Sequence, residues 1–421
     1  MMTPSITLED VRQARSVIAD LAIQTPMLPA RSLGDLANCD LLLKAENLQR
    51  AGSFKVRGAT NRIAALDPGQ KARGVIAASA GNHAQGVALA AASLGIPCTI
   101  VMPAGASIPK VEATRGYGAT VVLHGDDFDE ATDHARQIAK EGGLTLIHAF
   151  DDPLIVAGQG TVGLEILEQA DDLDMVVVPV GGGGLISGIA LAIKETAPRI
   201  KVVGVQAEAA SAVVDSYKAN RRITVKGQAT VADGISVGTP GEITLPLVSR
   251  YVDDMVLVEE EEITQAMLLL LERGKLLVEG AGAVGLAAIL GGKVSVEGKR
   301  VATVLSGGNV DTHLIARVLE NGLAHAGRYL VIRVTVEDRP GRLNRLLNII
   351  SKADVNVLDI GHLRHAASVH LGHVEIQLTL ETRNHAHSAE VRELLHDAGY
   401  TLSETGPIAG LPSSPEDPAA P

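Results

Sequence analysis

Short runs of Val and Ile alternate with longer Ala-rich stretches along most of the chain. GVIAAS precedes GNHAQGVALAAASLG, CTIVMP precedes SIPKVEATRGYG, and MVVVPV precedes GGGGLISGIALAIKETAP. Continuous apolar strands that alternate with helices are typical of a parallel sheet with both faces covered. The pattern extends from about Ala45 to Glu320. It predicts an α/β fold with parallel sheets for this part of the chain.

A different order of elements begins near residue 327. YLVIRVTVEDRPGRLNRLLNIISKADVNVLDIGHLRH and the segment after it predict strand, helix, strand, strand, helix and a short last strand. A βαββαβ order of this size indicates a ferredoxin-like domain, which we assign to residues 327–403. The Pro-rich residues 404–421 have no apolar period, and we expect them to be disordered.

Composition narrows the classes of function. The 421 residues are too many for one ordinary core, and the formal net charge of -12 argues against a nucleic-acid or anionic-membrane partner. The longest apolar runs are interrupted by Gly, Glu or Lys, so we expect no membrane-spanning segment. The N-terminal segment has no basic region followed by an apolar core, so we expect no signal peptide. Cys39 and Cys98 fit neither a disulfide framework nor a metal site, which favours a cytoplasmic location.

Four consecutive glycines, Gly181 to Gly184, lie between a buried strand and a helix. Their backbone can bring N–H groups to a ligand, and the positive end of the helix favours a phosphate there. A plain strand-to-helix turn is the alternative. A dinucleotide site is disfavoured because Ile186 or Ser187 stands where that motif needs its third glycine, and no Walker loop is present. The loop suits a single phosphate on a small cofactor.

Lys55, in NLQRAGSFKVRGA, is predicted at the start of a helix for which Ser53 would be the N-cap. The helix dipole disfavours an ammonium group in the first turn, and burial beside Phe54 and Val56 would lower the lysine pKa. A lysine that loses its proton easily is a better nucleophile toward an aldehyde. A solvent-exposed lysine is the ordinary alternative. Lys55 and the glycine loop together would suit an aldehyde that bears a phosphate.

Four segments, in this order, resemble the pyridoxal-phosphate enzymes of the tryptophan-synthase β-subunit fold, also called fold type II: GSFKVRGA, SAGNHAQG, GGGGLISG and LSGGNVD. KVEATRGYGATVVLHG and ADGISV are similar to the threonine dehydratase (threonine ammonia-lyase) subgroup, with serine dehydratase and serine racemase nearby. The resemblance implies pyridoxal 5'-phosphate as the cofactor of a catalytic domain at residues 1–320. It also implies two parallel-sheet subdomains, the smaller one at about 45–145 inserted in the larger.

The resemblance assigns roles to residues by position. It implies that Lys55 holds the cofactor as a Schiff base and moves the Cα proton, that Asn82 contacts the ring 3-hydroxyl, and that Ser306 faces the pyridine nitrogen. The phosphate would be bound by the backbone of Gly181, Gly182, Gly183, Gly184 and Leu185. The substrate carboxylate would be bound by Ser79, Ala80, Gly81, Asn82 and His83. A structural role is favoured for His83, and LSGGN can also be read as a plain turn.

Differences from related enzymes narrow the set of reactions that we expect. A neutral serine such as Ser306 does not hold the ring nitrogen protonated, which suits elimination better than transamination. Serine racemases carry a second acid/base serine where this chain has Ala80, so racemisation should be weak. Serine racemases also place a Glu at a divalent-metal site where this chain has Gln206. An amide is a poorer ligand than a carboxylate, so we predict no metal ligands. Binding of a monovalent ion by backbone carbonyls is the alternative left open. Glu279 is either near the site or a structural cap.

The segment VEDRPGRLNRLLNIISKADVNVLDI resembles an ACT domain, a regulatory module that binds amino acids between paired copies. The turn at Arg339–Gly341 would meet the effector carboxylate, and Asn356 would begin the facing strand. A module that only joins subunits is the alternative. Nearby histidines lack a Cys or an acid at ligand spacing, and we interpret them as solvated: His362, His365, His370 and His373.

The sequence thus predicts a lyase that converts L-threonine to 2-oxobutanoate and ammonia, with L-serine as a slower substrate. The ACT resemblance implies feedback by a branched-chain amino acid, isoleucine first, and a homo-oligomer, expected to be a tetramer. Rivals with the same cofactor are a serine dehydratase or racemase and a β-replacement or threonine-synthesising enzyme. A non-catalytic amino-acid sensor is the rival from another class, and intact Lys55, Asn82 and Ser306 argue against it.

Overall fold

The computed structural model describes residues 6–325, 327–363 and 371–404. The chain divides into two compact units, Met1–Asp311 and Thr312–Pro421. The sequence placed the end of the first domain at about residue 320, which lies inside the first helix of the second unit. The tail that we expected to be disordered lies outside the described residues from position 405 onward.

Helices and strands alternate through most of the described chain. The helices are α1 Leu8–Ile18, α2 Arg31–Gly34, α3 Lys55–Ala64, α4 Pro68–Arg73, α5 Asn82–Ser93, α6 Ile108–Gly116, α7 Phe128–Gly142, α8 Pro153–Gln169, α9 Gly184–Thr196, α10 Ala212–Ala219, α11 Thr244–Tyr251, α12 Glu260–Leu269, α13 Gly280–Leu290, α14 Thr312–His325, α15 Arg342–Ile350 and α16 His385–Asp397. The strands are β1 Met27–Pro29, β2 Asp40–Lys44, β3 Val75–Ala78, β4 Cys98–Met102, β5 Thr120–Leu123, β6 Thr145–Leu146, β7 Met175–Pro179, β8 Lys201–Ala207, β9 Asp254–Val258, β10 Arg300–Val304, β11 Tyr329–Glu337, β12 Asn356–Leu363, β13 His373–Glu381 and β14 Leu402–Glu404. Among the described residues, none of the helices has both the length and the apolar composition that crossing a membrane requires.

The first unit contains two sheets. The larger one has the strand order β1-β2-β10-β7-β8-β9, in which β1 runs antiparallel to β2 and the other strands run parallel. The smaller one has the order β5-β4-β3-β6 and is parallel throughout. Strand β7 is buried at every position because α9 and α13 both pack against it. The predicted α/β fold with two parallel sheets is confirmed.

The sequence motifs follow the carboxyl ends of parallel strands. Ser79–Gly81 follows β3, Val180–Gly183 connects β7 to α9, and Leu305–Gly308 follows β10. In the larger sheet the end of β10, at Val304, pairs with the end of β2, at Lys44. The crevice beyond the carboxyl ends of the strands is where open α/β sheets bind ligands. The fold therefore directs all three motifs toward ligand-binding edges.

The second unit begins with α14 and continues as β11, α15, β12, β13, α16 and β14. Its sheet is antiparallel, with the order β12-β13-β11-β14. Alternate residues of β11 are buried, as a sheet with one covered face requires: Leu330, Ile332, Val334 and Val336. The predicted βαββαβ, ferredoxin-like fold is confirmed.

Candidate active site

Lys55 is the first residue of α3, as expected, but the predicted N-cap is wrong. Ser53 is extended (φ -165°, ψ 164°) and pairs with Gly307 in an isolated antiparallel bridge. The Phe54 N–H donates to the carbonyl of Ser306 at 3.2 Å, and the buried Ser53 hydroxyl has no hydrogen-bond partner among the described residues. Pairing with the segment after β10 fixes the Ser53 backbone, so the helix begins one residue later than a serine cap would require.

The amine of Lys55 lies close to a backbone carbonyl and an aromatic ring. The side chain is half-buried, and its Nζ donates to the carbonyl of Ala149 at 3.1 Å. The same nitrogen lies 5.1 Å from the centre of the Phe54 ring. Burial lowers the pKa of Lys55 to about 8, and the charge of Glu279 opposes that effect. Lys55 is therefore neutral far more often near pH 7 than an ordinary lysine, and the neutral amine is the form that acts as a nucleophile or a base.

A buried ion-pair network fixes the helix that carries Lys55. Arg57 bonds Glu46 through Nε and Nη2, at 2.8 Å each, and Glu165 through Nη1 at 2.6 Å. Lys44 joins the network through a 2.6 Å contact with Glu165. Sequence reasoning missed Arg57, although its position two residues after Lys55, beside the apolar residue Val56, was an available signal. The network sets the position of the first turn of α3.

Asn82, the first residue of α5, is held by two side chains. Its Nδ2 donates to Glu279 Oε1 at 2.6 Å, and its Oδ1 accepts from Asn309 Nδ2 at 2.8 Å. Glu279 occupies the N-cap position of α13, but its side chain makes no capping bond. Burial, followed by the charge of Asp233, raises the pKa of Glu279 to about 7. The sequence left two interpretations open for Glu279. Its bond to Asn82 favours a position near the site over a structural cap.

The segment Ser79–His83 connects β3 to α5. The Ser79 hydroxyl accepts from the Gly81 N–H at 3.1 Å, and space is open beside Gly81. Ala80 is half-buried and brings no titratable group. His83 is buried, its Nε2 donates to the carbonyl of Ile147 at 2.9 Å, and burial lowers its pKa to about 3. The ring is neutral and bonded to the backbone, as a structural histidine would be.

The glycine loop presents free donors. Gly183 adopts a left-handed conformation (φ +95°), and α9 begins at Gly184. A Cβ at Gly182 would overlap the ring of Phe150, so this position also requires glycine. Within the described residues, no protein acceptor receives a hydrogen bond from the N–H groups of residues 181–184, and Leu185 is buried. A row of free N–H groups at a helix N-terminus matches what a phosphate needs.

Ser306 lies two residues beyond β10 and is buried. Its hydroxyl is 3.5 Å from the carbonyl of Ala281, so that bond is long. The next residue, Gly307, accepts the N–H of Glu279 at 3.1 Å. The Lys55 motif therefore contacts the Ser306 motif through the Phe54 N–H. Glu279 contacts both the Asn82 motif and the Ser306 motif.

Gln206 already uses its amide oxygen within the protein. Oε1 accepts the N–H groups of Val213 and Val214 at 3.0 and 2.9 Å, at the start of α10. Its Nε2 is 3.5 Å from the carbonyl of Gly181. In the described part of the chain, no three His, Cys, Asp or Glu side chains converge in a way that could hold a metal ion.

In the second unit the turn Arg339–Gly341 precedes α15, and Asn356 is the first residue of β12. His362 and His373 are both exposed. Two further histidines lie outside the described residues: His365 and His370.

The site groups fit pyridoxal phosphate chemically. Lys55 offers an amine of lowered pKa to an aldehyde, the residues 181–184 offer free N–H groups to a phosphate, and Ser306 offers a hydroxyl to a ring nitrogen. Ala149 and Phe150 are consecutive residues that contact Lys55 and Gly182. One short segment thus connects the amine to the glycine loop.

Comparisons with known proteins identify the family of the chain. Residues 18–307 match the family "Pyridoxal-phosphate dependent enzyme", and residues 330–399 match "ACT domain". The chain is 48% identical to an L-threonine ammonia-lyase of Thermotoga maritima, over 95% of this chain and 100% of that protein. Among solved structures, threonine deaminase isoform 2 of Solanum lycopersicum is 37% identical with a TM-score of 0.71, over 76% of this chain and 91% of that one. Maize serine racemase is also 37% identical with a TM-score of 0.71, over 76% of this chain and 98% of that one.

These matches confirm the family and the cofactor that four short motifs had indicated. The catalytic match ends before the second unit begins, and the ACT match lies inside that unit. The chain belongs to the pyridoxal-phosphate dependent enzyme family and carries an ACT domain after its catalytic part.

Proposed function

We propose that the protein is an L-threonine ammonia-lyase that forms 2-oxobutanoate and ammonia, with L-serine as a slower substrate. The observation that carries the proposal is the amine of Lys55, with a pKa of about 8, bonded to the segment that packs on the glycine loop. The choice of threonine is supported by the relative that is 48% identical and named L-threonine ammonia-lyase. The hydroxyl leaves as water and a second water replaces the amino group, so one threonine gives one 2-oxobutanoate and one ammonia.

Each residue has a defined task in this reaction. When bound, pyridoxal phosphate supplies an aldehyde for the substrate amine and a ring that accepts the electron pair released at Cα. The N–H groups at the start of α5, in Ser79–His83, bind the substrate carboxylate. Lys55 Nζ, as a neutral amine, takes the proton from Cα. Asn82 is oriented by Glu279 and Asn309, so its amide would meet the ring of the bound cofactor in a fixed direction.

Neutral residues favour elimination over the competing reactions. The Ser306 hydroxyl brings no charge to the ring nitrogen, so a long-lived carbanion is not stabilised. Ala80 has no proton to donate to the opposite face of Cα. Racemisation of L-serine is therefore expected to be much slower than its deamination.

The ACT domain, which we assign to residues 327–403, is the proposed site of regulation by isoleucine, as in isoleucine biosynthesis. The turn at Arg339–Gly341 and the start of β12 at Asn356 provide the backbone groups for an amino-acid effector. Strand β12 lies at the edge of the described sheet and exposes Leu358, Ile360 and Leu363, which suits pairing with a second copy. We expect a tetramer, and a cytoplasmic location that suits two free cysteines.

Production of 2-oxo acid from a panel of amino acids tests the reaction. Purified protein is expected to be yellow, and borohydride reduction is expected to attach the cofactor covalently to Lys55. Threonine alone should give 2-oxobutanoate, which separates a lyase from a β-replacement enzyme and from a sensor. A colourless Lys55→Ala protein that deaminates threonine at the full rate would overturn the mechanism.

Regulation needs its own experiment. Isoleucine should change the dependence of the rate on threonine concentration, and a chain ending before Tyr329 should lose that response while it still deaminates threonine. An unchanged rate curve for the full chain with isoleucine, valine or leucine would remove the regulatory part and leave the lyase part intact.

A further inference from the structure

The loop between β6 and α8 contains the segment His148–Asp152, which contacts both the Lys55 amine and the glycine loop of the proposed cofactor site. The carbonyl of Ala149 accepts from Lys55 Nζ, and the ring of Phe150 packs against Gly182. Sequence analysis assigned no role to this segment. The residue after Phe150, Asp151, provides a second, indirect connection to the glycine loop.

Asp151 holds three consecutive backbone N–H groups at the start of α11. Its Oδ2 accepts from Glu242 at 2.9 Å, and its Oδ1 accepts from Ile243 at 2.9 Å and from Thr244 at 3.3 Å. Gly241 packs so closely on this carboxylate that a Cβ there would overlap it. A carboxylate at a helix N-terminus makes strong, charge-assisted bonds. Asp151 therefore fixes where Thr244 stands.

Thr244 in turn fixes one peptide group of the glycine loop. It is buried, and its hydroxyl donates to the carbonyl of Gly182 at 2.6 Å. Its own carbonyl accepts from the hydroxyl of Ser187, in the first turns of α9, at 3.2 Å. The Gly182 carbonyl and the Gly183 N–H belong to one trans peptide and point in opposite directions. A carbonyl held toward Thr244 therefore keeps the Gly183 N–H directed away from it, as one of the loop's free donors.

We propose that Asp151 and Thr244 are positioning residues for the cofactor phosphate. They orient the Gly182–Gly183 peptide, which glycine would otherwise allow to rotate. The inference rests on the proposed role of residues 181–184 in phosphate binding, and it does not depend on which amino acid is the substrate. Neither residue touches the reacting atoms.

The test compares two aldehydes on the full-length protein freed of cofactor. Pyridoxal 5'-phosphate carries the phosphate and pyridoxal lacks it, so the ratio of their dissociation constants isolates the phosphate contribution. Thr244→Val removes the donor to Gly182, and Asp151→Asn weakens the three bonds to residues 242–244. Each is expected to raise the dissociation constant of pyridoxal 5'-phosphate about tenfold, the effect of losing one good hydrogen bond, and to leave that of pyridoxal unchanged.

Two further variants serve as controls. Thr244→Ser keeps the hydroxyl and should restore tight binding. Asp152→Asn changes the neighbouring carboxylate, which bonds the N–H of Leu154 and pairs with Arg62, so it should leave the ratio unchanged. The 31P resonance of the bound cofactor should move in Thr244→Val and stay in place in Thr244→Ser and Asp152→Asn.

An equal loss of affinity for both aldehydes, or an unchanged ratio with an unchanged 31P resonance in Thr244→Val, would overturn the proposal. If Thr244→Val fails to fold, Asp151→Asn against Asp152→Asn decides it by the same ratio. Threonine deamination is measured separately. A protein that does not deaminate threonine but shows the phosphate-specific loss would refute the proposed reaction and support this inference.

Discussion

The pKa of Lys55 can be measured in the full-length protein freed of cofactor. Burial lowers it from 10.5 to about 8. At pH 7, a pKa of about 8 leaves about one side chain in ten as the neutral amine, whereas 10.5 would leave about one in three thousand. The reactive fraction of Lys55 is thus expected to exceed that of an ordinary lysine about 300-fold.

Replacing Glu279 tests the cause of this value. The negative charge of Glu279 raises the pKa of Lys55 and so opposes the effect of burial. Glu279→Gln removes the charge and keeps an oxygen that can accept the bond from Asn82. The pKa of Lys55 in the variant is therefore expected to fall below that of the natural chain.

Competitive labelling provides the assay. A trace of isotopically labelled acetic anhydride reacts with neutral amines, and mass spectrometry of the Lys55 peptide gives the extent of reaction at each pH. An N-acetyl-lysine amide in the same tube is the internal standard. A Lys55 titration centred near that of the standard would refute the burial argument. A Glu279→Gln protein in which Lys55 titrates at higher pH would refute the electrostatic one.

Three other predictions follow from buried contacts. Arg57→Met removes the guanidinium that two buried carboxylates share, and Lys44 still pairs with one of them, Glu165, so urea unfolding should show a loss of about 3–5 kcal/mol. Arg15→Met, at an exposed pair, should change stability by less than about 1 kcal/mol. Because burial raises the pKa of Glu279 from 4.5 to about 7, the ionised form destabilises the natural chain increasingly as pH rises through that range. In thermal unfolding, Glu279→Gln should therefore stabilise the cofactor-free protein above pH 7 and have little effect below pH 4.5. EDTA should leave the rate of 2-oxobutanoate formation unchanged, because the amide oxygen of Gln206 is already occupied by backbone N–H groups; a loss of rate that Mg²⁺ restores would contradict this.

The parts of the site that depend on local backbone conformation could be predicted from the sequence. Parallel strands buried on both faces need continuous Val and Ile, so β4 and β7 were recognisable. Gly183 needs a left-handed backbone, and Asn82 stands at the first position of a helix. Each of these features is determined within a few residues and is therefore visible in a short window.

Contacts between distant segments could not be predicted. Ser53 resembled an N-cap in its own window, but pairing with Gly307, far along the chain, controls its backbone. Arg57 finds one carboxylate partner 11 residues away and another 108 residues away. The bond from Thr244 to Gly182 spans 62 residues. A polar residue is expected to be exposed until the fold supplies its partner.

The neutral side chains of Asn82 and Ser306 preserve the perturbed pKa values of Lys55 and Glu279. Burial is the largest influence on both groups, lowering the pKa of Lys55 to about 8 and raising that of Glu279 to about 7. Moving a proton from the ammonium to the carboxylate therefore requires much less free energy than it does for the same groups at their ordinary pKa values. A further carboxylate, for example in place of Ser306, would stabilise the ammonium form and restore part of that gap. Asn82 and Ser306 bind polar groups without doing so, which keeps the amine of Lys55 available as a base.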